Sequence, residues 1–172
     1  VIKHRDKINP RFTTNFIIET LKIILFNAIF IFNNEFFHQK IGTAMGTIVA
    51  PVYANLTMSY LEELLYIKCM EISFELYTWI IRKLKRFIDD CFILLNLDLI
   101  SEEEFFTLFN SLNSNIKFTK KTSRDKIDFL DITIIRTLKN DEYEITTDIF
   151  YKPTNNFAYL PFNSHHNRQI KR

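Results

Sequence analysis

Apolar positions along this chain recur first at helical and then at extended spacing, and the changes of period predict its elements. Residues 1–12 are polar and mixed in charge, which reads as a loop. "TTN" (13–15) offers N-cap residues, and a long apolar helix is predicted from there to about Phe32, where "NNEFFHQK" breaks it. Its greasiest run, "IILFNAIFIF" (23–32), is interrupted by Asn27 and is far shorter than the about 20 apolar residues a membrane span needs, so it reads as a buried core helix. Pro51 suits the first turn of a second helix, whose apolar face is predicted as Val52, Leu56, Tyr60, Leu64 and Ile67, with Glu62, Glu63 and Lys68 off it.

From about Trp79 the pattern turns extended. "WIIRKLKRF" and "CFILLN" are β-prone runs on either side of "IDD", which places the acidic pair at a hairpin turn. Ser101 with Glu104 forms a capping box, ahead of a short helix with Phe105, Leu108, Phe109 and Leu112 on one face. "NIKFTK", "IDFLDITII" and "YEITTDIFY" follow as predicted strands. The last sets Glu144, Thr146 and Asp148 against Tyr143, Ile145 and Ile149, beyond the turn "KNDE". The order helix, loop, helix, hairpin, helix, strands predicts an α+β fold with helices layered on an antiparallel sheet.

Composition narrows the class. The 172 residues are 47% hydrophobic and include 18 Phe, enough for a folded interior rather than disorder. A net charge of +2 gives no global basic field, although a local basic groove is compatible with it. Cys69 and Cys91 have neither metal-ligand nor disulfide-framework spacing and fit a reducing interior. No targeting leader is apparent, and the intracellular location expected of this chain, nuclear or cytoplasmic, comes only from the resemblance given below. The chain opens without Met and ends on "NRQIKR", so a piece of something longer is expected.

Glycine is scarcer still. A chain of this length would carry about a dozen at roughly 7% usage, whereas this one has two, Gly42 and Gly46, both in "QKIGTAMGTIVAP" (39–51). Glycine is kept where backbone must adopt φ > 0 or lie close to something else. Alone, the stretch is equally an ordinary tight loop before a helix. Asp89 and Asp90 are the sharpest polar feature. Adjacent carboxylates between apolar strands repel each other, and a hard divalent cation such as Mg²⁺ relieves that repulsion. A lone "DD" is otherwise a solvated turn.

Taken together and in this order, "QKIGTAMGTIVAPVYANLTMSYLEELLY" and "RFIDDCFILL" resemble the reverse transcriptases of Penelope-like retroelements, relatives of telomerase. There the glycine loop is motif B of the palm and "[YF]-x-D-D" is motif C. "IKFT" (116–119) resembles the motif D region, and "FLDITI" (129–134) and "YKPTNNFAYLPFNSHH" (151–166) resemble the segment after it. The resemblance runs from Arg11 to the end. It implies a polymerase palm-type antiparallel sheet backed by helices and incomplete at its N-terminal side, with a partial palm over 1–135 and a motif E-like hairpin and basic segment over 136–172.

The resemblance also implies roles. Asp89 is a catalytic metal ligand, with Asp90 beside it as a less direct carboxylate, and the cofactor is Mg²⁺ or Mn²⁺. Gly46, preceded by Met45, packs against nucleotide or template, Gly42 shapes the loop, and Phe87 supplies the ring that many relatives draw from Tyr. Lys117 and Lys120 are candidates for a phosphate contact or a proton donor, and equally solvated lysines. Partners are an RNA template, a DNA primer and deoxynucleoside triphosphates, with no membrane.

Some family features have no match. No residue fits the motif A aspartate: Asp6, in "HRDKINP", lacks an apolar strand and is not assigned. No stretch of these residues resembles the fingers or the endonuclease domain, which are expected to lie outside this piece. Lys121 stands where relatives often carry an acid, and "SHHN" (164–167) where they carry His-Pro. His165 and His166 lack metal partners at ligand spacing, and His38 with Gln39 flanks the template-side loop. The expected function is RNA-directed DNA polymerisation by two-metal phosphoryl transfer, with this piece inactive alone. The alternatives are a non-catalytic relic or nucleic-acid-binding piece and, less in keeping with the motif order, a metal-dependent nuclease.

Overall fold

A computed structural model describes residues 9–171. The chain is mixed α+β and divides between Asn115 and Ile116 into two compact units. Among the described residues there are four α-helices and three small antiparallel sheets of two, two and three strands. The α+β expectation holds, but one continuous sheet is replaced by three separate ones.

The first unit opens with α1 (Thr14–Phe26), where the Thr13 side chain accepts a hydrogen bond from the Phe16 amide at 3.1 Å. The helix stops six residues before the predicted Phe32. Asn27 caps it and donates to the Ile23 carbonyl. β1 (Ile29–Phe32) and β2 (Glu35–His38) then pair across Asn33–Asn34, with φ of 50° and 61°. Asn-Asn suits the two left-handed positions of a type I′ turn, and alternating Ile and Phe favour a strand over a continued helix. The buried-helix expectation for 23–32 is also overturned: α1 buries no residue, and Ile23 and Phe32 are 64% and 70% exposed.

The core forms among α2 (Ala50–Ile72), α3 (Phe74–Lys83) and α4 (Glu102–Ser111). Pro51 lies in the first turn of α2, as predicted. The apolar face read from its sequence is the wrong one, however. Val52, Leu56, Tyr60 and Ile67 are exposed, while Met58, Leu61, Leu65 and Cys69 are buried. Both stripes have helical spacing, and periodicity alone does not decide between them. The extended reading of "WIIRK" is overturned too. Ser73 caps α3 by accepting from the Leu76 amide at 3.0 Å, Leu76 and Ile80 form its buried stripe, and Glu75 at the start with Arg82 and Lys83 at the end complement the helix dipole. α4 carries the predicted capping box, with Phe105 and Phe109 buried.

β3 (Leu84–Phe87) pairs with β4 (Asp90–Ile93) through the two-residue turn Ile88–Asp89. In the second unit, β5 (Lys126–Phe129), β6 (Ile132–Lys139) and β7 (Glu142–Ile149) form a meander. "NIKFTK" is irregular rather than a strand, since Ile116 and Phe118 are its only apolar positions among lysines. "IDFLDITII" is a hairpin rather than one strand, turned at Leu130–Asp131 with Leu130 at φ 55°. β7 pairs as predicted beyond Asn140–Asp141, but both of its faces are exposed. The 135/136 division read from the resemblance falls inside β6. No helix of the described residues is long and apolar enough to cross a membrane.

Candidate functional site

Both glycines adopt the conformation that their scarcity predicts. Gly42 has φ +83° and Gly46 φ +87°, where side chains are strained. A Cβ on Gly42 would come to 3.4 Å of the Gln39 side-chain nitrogen, whereas one on Gly46 would meet nothing within 4 Å. The space beside Gly46 is therefore open. Met45 next to it is fully exposed (100%), and Ile41 and Ile48 are nearly so. Thr47 closes the loop onto α2, its hydroxyl donating to the Ala44 carbonyl at 3.1 Å and its carbonyl accepting from the Ala50 amide at 3.1 Å. His38 lies at the other end of the loop and bonds the Phe26 carbonyl through its Nε2.

The acidic pair sits at a hairpin turn, as predicted. Phe87 is opposite Asp90, and Ile88 and Asp89 make the turn. Asp89, Asp90 and the Phe87 ring are exposed. Ile88 has φ +55°, an outlier for a β-branched residue. Behind the turn, the Cys91 thiol lies 3.8 Å from the Asp89 carbonyl, and burial pushes it up to about 11, so it stays a neutral thiol near pH 7.

Arg86 is the residue that sequence reasoning missed. Its Nε donates to Glu62 Oε1 at 2.8 Å and its Nη2 to Glu62 Oε2 at 3.3 Å and Ser59 Oγ at 3.1 Å. Its Nη1 donates to Asn55 Oδ1 and to the Ile88 carbonyl, both at 2.8 Å. Hydrogen bonding to Glu62 raises the guanidinium further above its ordinary value, so its charge is fixed. A partial signal was present in the sequence: Asn55, Ser59 and Glu62 recur at i, i+4 and i+7, a polar stripe along one side of α2. α2 thus begins at the glycine loop and, through Arg86, holds the acidic turn along its N-terminal half.

Other predicted residues belong to the second unit. Lys117 and Lys120 lie in the irregular segment of the second unit, and Lys121 there pairs with Asp128 at 3.0 Å. His165 and His166 are exposed, the latter's Nδ1 being 3.3 Å from Ser164 Oγ. Asp6 lies outside the described residues. Among the described residues, no three His, Cys, Asp or Glu side chains are grouped to hold a metal ion. Asp89 and Asp90 alone offer two solvent-open carboxylates, which fits a Mg²⁺ ion that keeps several of its waters. No family model, curated protein or solved structure matches this chain.

Proposed function

We propose that this chain is part of an RNA-directed DNA polymerase of the Penelope-like type, which adds deoxynucleotides to a DNA primer on an RNA template. One observation carries the reading: a glycine loop with open space at Gly46 and an exposed Asp89–Asp90 turn are attached to the same helix, α2, by chain continuity and by Arg86. Asp89 would be the principal ligand of Mg²⁺ or Mn²⁺ and Asp90 the second. Such an ion supplies charge neutralisation for phosphoryl transfer. Gly46 and Met45 would present bare backbone and a flexible side chain to nucleotide or template, Gly42 would set the loop's course, and the Phe87 ring would flank the primer end. Lys117, which lies in the second unit, is proposed as a contact for nucleic-acid phosphate, a role implied by the resemblance.

The test is binding of a fluorescent deoxynucleoside triphosphate to the chain on a primed RNA template, with and without Mg²⁺. Metal-dependent binding that Asp89→Asn weakens about tenfold or more is expected. Binding unaffected by metal and by the substitution would sink the proposal. A second reading, a non-catalytic nucleic-acid-binding piece, is favoured by the lack of a third acid beside Asp89 and Asp90 among the described residues. In keeping with it, no primer extension by these residues alone is expected. Template binding without metal-dependent nucleotide binding would select this second reading.

A further inference from the structure

We infer that Arg86 is the positioning residue of the acidic turn, fixing where Asp89 and Asp90 stand relative to α2 and so to the loop from which α2 starts. The inference rests on the polymerase reading for what the turn does, but not for how the turn is held.

A second turn in the molecule separates the shape of the turn from its placement. Phe129-Leu130-Asp131 repeats the pattern of Phe87-Ile88-Asp89, closes the same two-residue loop, and puts Leu130 at the same φ of 55° as Ile88. Asp128 stands there in the place of Arg86, bonded to Thr133 at 2.8 Å within its own hairpin and to Lys121 at 3.0 Å. The turn shape therefore forms without an arginine. What Arg86 adds is the attachment. A single planar guanidinium joins the Ile88 carbonyl to Asn55, Ser59 and Glu62 across 24 to 31 residues of sequence.

The chemistry of the group explains why the residue is Arg. Five N–H donors in a rigid fork can serve both Glu62 oxygens while still reaching a carbonyl and an amide oxygen, whereas a lysine offers one point charge on a flexible stem. The Arg86 side chain is only 11% exposed and Glu62 18%, so the pair is largely shielded from water and from salt. Glu62 takes up the charge of Arg86, leaving Asp89 and Asp90 as the negative groups that face outward. Arg86 therefore acts on the acids by location, without contacting them.

The experiment compares the full chain with Arg86→Gln and Arg86→Lys by NMR. In the wild type, cross-relaxation is expected between the Asn55 side-chain amide and the Ile88–Asp89 backbone. In Arg86→Gln it should vanish while the left-handed shift signature of Ile88 persists, as it does at Leu130. Persistence of the Asn55 cross-peak in Arg86→Gln overturns the inference. Mn²⁺ added to the same samples should broaden the Asp89 and Asp90 amides, with about tenfold more ion needed in Arg86→Gln and an intermediate amount in Arg86→Lys. Equal Mn²⁺ dependence in wild type and Arg86→Gln also overturns the positioning role. Absence of broadening in the wild type sinks the polymerase reading instead, and the cross-peak still decides how the turn is held. Should Arg86→Gln unfold the chain, Asn55→Ala combined with Ser59→Ala removes two acceptors and keeps the ion pair. A smaller rise in the Mn²⁺ needed to broaden the Asp89 and Asp90 amides is then expected, and an unchanged Mn²⁺ requirement overturns the inference.

Discussion

The first unit contains two apolar stretches with opposite fates, and it is the greasier one that stays exposed. Residues 14–38 hold α1 and the β1–β2 hairpin, rich in Ile and Phe, yet α1 buries no residue and both strands are exposed throughout. Residues 50–83 hold α2 and α3, more mixed in composition, and bury Leu61, Leu65, Leu76 and Ile80 almost completely. The difference lies in partners rather than in hydrophobicity. α2 and α3 present matching stripes at helical spacing, and Ser73 links them closely enough for the stripes to meet. Burial needs a facing surface as well as apolar side chains. Without one, the Phe-rich stretch leaves an apolar surface of the kind that drives association.

Substitution on the two sides sharpens the contrast. The largest effect is expected at Leu65, which is fully buried (0% exposed) in α2. Leu65→Ala should cost about 3 kcal/mol in denaturant unfolding, through lost burial and a residual cavity. A cost under about 1 kcal/mol would mean that the α2–α3 contact is no better packed than the hairpin. An intermediate effect is expected at the cap of α4. Ser101→Ala should lower stability by about 1 kcal/mol at neutral pH. The Glu104 carboxylate, which accepts from the Ser101 hydroxyl and amide, is held below its ordinary value of 4.5 by those hydrogen bonds. A depressed acid contributes fully above its unfolded value and loses that contribution as pH falls through the folded one. The gap between wild type and Ser101→Ala should therefore narrow below about pH 4.5 in thermal melts, and a gap that widens on acidification contradicts the assignment. The smallest effect is expected at Phe30, which stands exposed on β1. Phe30→Ser should change unfolding free energy by no more than about 0.5 kcal/mol while reducing self-association in sedimentation. A loss as large as that at Leu65 would erase the comparison.

Local chemistry was the legible part of this chain. The Ser101–Glu104 box, Pro51 at the start of α2 and the turns at "IDD" and "KNDE" are each set by neighbouring residues, and each forms where it was read. The positive φ of both glycines follows from their being the only two. What the pattern missed depends on distant residues or on competing local preferences. Two apolar stripes run along α2, and only the contact with α3 and α4 selects Met58, Leu61, Leu65 and Cys69. After α1, the Asn27 cap and the two left-handed positions of Asn33–Asn34 outweigh a continuous run of apolar residues that would otherwise extend the helix. At the candidate site, Asp89, Asp90 and the glycines could be named from the sequence, whereas Arg86 could not, because its side-chain acceptors on α2 lie more than twenty residues upstream.

Among the described residues, the hairpin turns Asn33–Asn34, Ile88–Asp89, Leu130–Asp131 and Asn140–Asp141 each join strands adjacent in sequence. Chain closure over so few residues costs little entropy, and hairpins of this kind form in about 1–10 μs. Every ladder can thus zip as soon as its own dozen or so residues are free, in any order and with no help from the rest of the chain. The closures that must wait are the docking of α3 and α4 on α2 and the capture of Arg86 by that helix. The acidic turn thus owes its shape to a local closure and its seat on α2 to a distant one.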